Sequence, residues 1–255
     1  MKSLETDLRA LRASGRKALV PYFVGGLTPD WVHHVEAAVH AGADAIEIGV
    51  PFSDPMMDGV IIQEAAMRAI SRGTTLDSIC ADLASLSASV PLIAMTYYNI
   101  FHHYGLERAA GTLRAAGVRG AIVPDLSLEE APDWSAACAE NDVATVFLVA
   151  PSTQPSRAVH VVSASEGFVY ASARMAVTGA SEDIGDAERV VTMIRALSDL
   201  PTYVGIGITS PAQASAAADV SDGVIVGSAL VKLILDGGGT PAIEAFIAGF
   251  RSALD

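Results

Sequence analysis

Residues 45–63 read AIEIGVPFSDPMMDGVIIQ: a short strand pattern, a turn punctuated by Pro51, Pro55 and Gly59, and the opening of a helix pattern. In the strand, Glu47 lies between Ile46 and Ile48. Side chains on a strand alternate between faces, so the isoleucines share one face and the carboxylate takes the other. With helices covering the isoleucines, Glu47 points into whatever the strands enclose.

The same unit recurs outward in both directions. Runs rich in Val, Ile and Ala at 18–24, 43–50, 91–96, 120–123, 144–149, 167–171, 202–205 and 223–226 alternate with amphipathic stretches. Those at 31–40, 61–70, 106–116 and 187–197 space apolar residues three and four apart, so each can cover a sheet. Such alternation specifies βα units around parallel strands. About eight strands in 255 residues matches a closed (β/α)8 barrel, which needs about 250. No linker or change of composition interrupts the series. Residues 1–255 are therefore expected to form one α/β domain, a TIM barrel, with an extra N-terminal helix over 3–13 plugging its lower mouth.

Composition narrows the partners. Hydrophobic residues make up 51% of the chain, yet no apolar run approaches the roughly 18 residues of a membrane span. The first residues mix acids, bases and leucines rather than forming an export signal, so a soluble, cytoplasmic protein is expected. A formal charge of -13 repels nucleic acid and requires any phosphate site to use local backbone donors. Cys80 and Cys138 lie far apart in helical stretches, which suits buried thiols rather than a disulfide or a zinc site. His33 and His34 face different sides of one helix and offer no metal pair, while His102 and His103 suit a surface and His160 a helix. Trp31 and Trp134 read as helix packing.

Barrel chemistry sits at the carboxyl ends of the strands. An inward acid such as Glu47 is costly unless partnered or protonated, and the protonated form is what a general acid needs. A structural acid bonded to backbone fits the same position. Asp54 and Asp58 stand in the following turn, where acids also serve simply to shape turns. Spacing leaves both alternatives open. The last two junctions, VGIGITSP at 204–211 and VIVGSALV at 224–231, are glycine-rich and lead into helices. Glycines and helix amino termini together can hold a phosphate without lysine or arginine.

The order AIEIG, PFSDP, Asp58 resembles the signature of tryptophan synthase α subunits. TYYN at 96–99, VPDLSLEE at 123–130, VTG at 177–179, GIG at 205–207 and VGSALVK at 226–232 extend the resemblance through most of the chain. It implies retro-aldol cleavage of indole-3-glycerol phosphate to indole and glyceraldehyde 3-phosphate. By the same resemblance Glu47 and Asp58 are catalytic, and Tyr97, Asn99, Tyr170, Thr178, Gly179, Gly207, Gly227 and Ser228 bind substrate. Thr178 matches the residue of a closing lid that bonds the aspartate. Pro51 and Asp54 match the loop that contacts a pyridoxal-phosphate β subunit in an α2β2 complex, to which indole passes. No metal or organic cofactor is implied for this chain.

Departures from the family pattern cluster in two places. Ala173 and Ala176 stand in the lid where a small hydroxyl residue and a glycine are usual, and alanine reaches positive φ less readily. Met57, Val60 and Ser127 replace a common alanine and two prolines, which bears on the partner-facing surface. VGGLTPDW at 24–31 lacks the frequent GDP turn but keeps a glycine at Gly26. Two further readings share these residues: a free-standing indole-3-glycerol phosphate lyase, and a catalytically weak barrel acting as allosteric activator of a β subunit. A more distant barrel isomerase would not carry the PFSDP loop.

Overall fold

The structure is a computed structural model that describes residues 3–86, 88–172, 185–205 and 207–255. Its strands are β1 (Ala18–Val24), β2 (Ile46–Gly49), β3 (Leu92–Met95), β4 (Val118–Ile122), β5 (Ala144–Val146), β6 (Leu148–Val149), β7 (Val169–Ser172), β8 (Thr202–Gly205) and β9 (Gly223–Val226). All described pairs are parallel, in the order β5-β4-β3-β2-β1-β9-β8-β7-β6. β5 and β6 are halves of one expected strand, interrupted at Phe147, whose carbonyl still accepts from the Tyr170 N–H (3.1 Å). Counted as one, they make eight strands and close the ring.

The helices are α1 (Leu4–Ala13), α2 (Trp31–His40), α3 (Val60–Ser71), α4 (Leu76–Ala84), α5 (Tyr98–Tyr104) and α6 (Leu106–Ala115). They continue with α7 (Pro132–Glu140), α8 (Pro155–Ala164), α9 (Gly185–Arg195), α10 (Pro211–Val220), α11 (Ser228–Leu235) and α12 (Thr240–Leu254). Between β2 and β3, and again between β3 and β4, two helices stand where a simple alternation has one. Gly73 (φ +86°) follows α3, and the Thr75/Ser78 capping box then starts α4. Gly105 (φ +93°) divides α5 from α6 in the same manner.

Ile46 and Ile48 join the apolar layer between strands and helices, as the alternation requires. The barrel interior is a separate cluster of Val20, Ile93, Ile122, Val146, Phe168, Tyr203 and Ile225, into which α1 inserts Leu4 and Leu8. Leu4 enters because Gly120 and Gly167 lack side chains. A Cβ on either would stand 2.6 or 2.8 Å from its Cδ2. Burying each leucine contributes about 1.5–3 kcal/mol, so the N-terminal helix is the barrel's floor. Trp134 stacks on Phe101 (4.5 Å) and Trp31 Nε1 donates to Asp82 (2.9 Å), both within the helical layer. Cys80 and Cys138 are buried thiols in α4 and α7, and burial pushes both pKa values up, Cys80 to about 11. No helix among the described residues is long and apolar enough to cross a membrane.

Asp44 locks the amino end of the barrel. Its carboxylate accepts from Arg16 Nε (2.6 Å), the Leu19 N–H (2.9 Å) and Arg251 Nη1 (2.9 Å), tying α12 to the start of β1. Arg251 is buried, and removing Asp44 leaves its guanidinium with only the Lys17 carbonyl (3.0 Å) and the exposed Asp255 carboxylate (2.9 Å). Asp44→Ala is expected to lower stability by about 3 kcal/mol, read as a shifted urea midpoint. A change below about 0.5 kcal/mol, the range of an ordinary surface substitution, would refute the lock.

Candidate active site

β2 places Glu47 beside Tyr22 of β1 and Ile93 of β3. Its side chain points inward and is only 1% exposed, and Oε2 has no hydrogen-bond partner among the described residues. Burial, reinforced by the nearby Asp58 carboxylate, pushes its pKa from 4.5 up to about 8. Near neutral pH Glu47 therefore holds a proton, the state required of a general acid.

Asp58 lies between β2 and α3. The turn is made by its backbone: its N–H donates to the Pro55 carbonyl (3.1 Å), and its own carbonyl accepts from Gln63 Nε2 (2.8 Å). The side chain is left for other work. Burial raises its pKa, opposed by a hydrogen bond from Tyr97. Tyr97 stands at the start of α5 with its ring 5.2 Å from that of Phe52. Its hydroxyl accepts from the Met57 N–H (2.9 Å), which leaves its own proton for Asp58.

Glu47, Asp58, Tyr170, Gly207, Gly227 and Ser228 line one cavity of about 460 Å³, a size suited to a small-molecule ligand. Ile62, Met95, Leu148, Ile208 and Ile225 give it apolar walls, and neither Lys nor Arg is among its described lining residues. Gly207 takes φ +90°, a conformation that favours glycine. Ser228 opens α11, whose amino end carries no side-chain cap, whereas α10 is closed by Ser210 and Gln213. Of the two helix ends suggested by the glycine-rich junctions, that of α11 is the one free to receive an anion.

Other expected site residues fall elsewhere. Tyr97 hydrogen-bonds Asp58 from outside the cavity's lining. Asn99 faces a separate groove with His102, Asp125 and Glu129, and the structure does not bring it to Glu47. Pro51 lines a narrow crevice beside Phe52 and Tyr97, and Asp54 is exposed on the turn, accepting from Ser53 Oγ (2.6 Å). Thr178 and Gly179, with Ala173 and Ala176, lie outside the described residues. Tyr22 and Ser172 also line the cavity without having been singled out from the sequence. The strand rule that found Glu47 finds Tyr22 too, since Val20 and Ala18, two and four residues earlier on β1, both face the interior.

A closed parallel barrel wrapped by helices, with a buried glutamate on β2 and an aspartate of the following turn lining one cavity, places the chain among (β/α)8 barrels. The profile of the family described as tryptophan synthase alpha chain matches residues 8–244. The chain belongs to that family, whose members are lyases. It is 44% identical over 241 residues to the tryptophan synthase alpha chain of Alkalilimnicola ehrlichii, covering 92% of this chain and 88% of the relative. It superposes on Mycobacterium tuberculosis tryptophan synthase with a TM-score of 0.91 at 40% identity, covering 100% of this chain and 99% of that one. The alpha subunit of Legionella pneumophila gives 0.91 at 29% identity, with coverage of 100% and 99%.

Proposed function

We propose that Glu47 and Asp58 carry the alpha reaction in this chain, the cleavage of indole-3-glycerol phosphate to indole and glyceraldehyde 3-phosphate. The observation that carries this reading is the buried carboxyl of Glu47, protonated near neutral pH at the wall of a cavity shared with Asp58. Glu47 gives its proton to C3 of the indole ring, so that the electrons of the C3–side-chain bond can return to the ring. The resulting carboxylate takes the proton of the 3′-hydroxyl as that bond breaks, which restores the acid. Asp58, held by Tyr97, stabilises positive charge on the indole N–H. Apolar walls exclude water from the ring, and Gly207, Gly227 and Ser228 receive the phosphate at the free end of α11.

Indole then passes to a β subunit. Met56, Met57 and Val60 support such a partner: they are exposed by 81, 57 and 79% on and beside the turn that holds Asp54. Clustered exposed apolar side chains at a cavity mouth mark a surface that another chain covers. The names of the solved relatives, tryptophan synthase, agree with it. The test is indole release by the purified chain, with and without the β subunit of the same organism and with Glu47→Gln as blank. Release accelerated at least about five-fold by the β subunit is the expected coupling. Release that ignores β would make the chain a free-standing lyase, and no release in either assay would refute the reaction.

A further inference from the structure

Tyr22 is a half-buried titratable group at the cavity wall that the reaction above does not use. It stands opposite Glu47 in the β1–β2 register, and its ring leans across to β2. Its hydroxyl lies 2.0 Å from where a Cβ on Gly49 would be. Gly49 is two residues beyond Glu47 and therefore on the same inward face. The missing side chain at Gly49 makes the room that the phenol fills, and it fixes the hydroxyl at the cavity wall beside the acid.

The charged and titratable groups facing this hydroxyl are Glu47 from β2, Asp58 from the turn, Tyr97 from the start of α5 and Tyr170 from β7. Glu47 has an oxygen, Oε2, without a hydrogen-bond partner. That is tolerable while the carboxyl keeps its proton. Once the proton is given up, the buried carboxylate needs a donor. Of the two phenols at the wall, Tyr22 is on the strand paired with β2, while Tyr170 lies across the barrel over Gly205.

We propose that Tyr22 is a positioning residue for the alpha reaction: its hydroxyl donates a hydrogen bond to the Glu47 carboxylate formed when C3 is protonated. No proton leaves the phenol. Burial holds its pKa well above the usual tyrosine value, so it remains an O–H donor throughout. The inference rests on the reading of Glu47 as proton donor.

The test is the pH profile of indole release by Tyr22→Phe, which keeps the ring, and by Gly49→Ala, whose methyl displaces the hydroxyl. Thermal unfolding confirms that each variant is folded. Both should lower kcat by roughly 10- to 100-fold, the worth of a hydrogen bond to a charged group, with KM nearly unchanged. In both, the alkaline limb should move to higher pH, because Glu47 loses a donor to its charged form. An unmoved limb in either folded variant, or a rise in KM alone, overturns the proposal. If Glu47→Gln is inactive while Tyr22→Phe behaves as wild type, only the role of Tyr22 falls. A fully active Glu47→Gln removes the acid itself, and the reading on which the role depends.

Discussion

Glu47→Gln is expected to lower indole release by roughly 10³- to 10⁴-fold, the upper part of the range for one acid–base group. An amide of the same shape cannot protonate C3 or collect the 3′-hydroxyl proton, so both halves of the exchange are lost. Binding of a glycerol-phosphate analogue should be nearly unchanged, because the phosphate contacts we propose are at Gly207, Gly227 and Ser228, which line the same cavity from other strand ends. Wild-type turnover in this variant would sink the assignment. In the unmutated chain, kcat/KM should fall as pH rises through about 8, where Glu47 loses its proton.

Stability follows with a definite sign. Between the ordinary 4.5 and about 8, the folded chain binds the Glu47 proton more tightly than the unfolded chain. Stability contributed by this group therefore declines as pH rises through that window. Glu47→Gln should be more stable than wild type above pH 8, by on the order of a few kcal/mol, and the difference should vanish below about 4.5. Denaturant titrations at pH 4 and pH 9 would show it. An equal difference at both would place its origin in packing rather than in the proton.

Asp58→Asn is expected to cost about 10²-fold in kcat, the size seen when one electrostatic stabiliser of a transition state is removed. The amide still accepts the Tyr97 hydrogen bond, so the turn and the fold persist while the negative charge opposite the indole N–H disappears. A second consequence separates this variant from Tyr22→Phe. Asp58 helps to raise the pKa of Glu47, so removing its charge should move the alkaline limb to lower pH, opposite to the shift expected on losing the tyrosine hydroxyl. Rates equal to wild type would reduce Asp58 to a turn residue.

What was legible in the sequence follows from which forces act locally. The segment 31–40 was readable to the residue because apolar spacing and burial agree along α2. Glu47 was readable because strand alternation is a local rule with one exception to find. The glycine junction at Gly227 and Ser228 was readable for the same reason, as a strand passing directly into a helix. Paired helices were missed because a single left-handed glycine, Gly73 or Gly105, ends one helix and lets another begin without interrupting the apolar pattern. Asn99 was placed by resemblance alone, and its direction depends on where α5 begins, one residue after Tyr97. Tyr22 went unnoticed because its meaning lies in a neighbour: only the pairing of β1 with β2 shows that Gly49 makes space for its hydroxyl.

Asp44 and its arginines gather at the amino ends of the strands, as do Leu4 and Leu8, whereas Glu47, Asp58 and the exposed Met57 and Val60 belong to the opposite end. Selection can therefore act on the two ends separately. Substitutions around the mouth change which molecules are admitted or covered without reaching the clamp that keeps the ring closed, so lineages of such a barrel can diverge in partner and rate while inheriting the same scaffold.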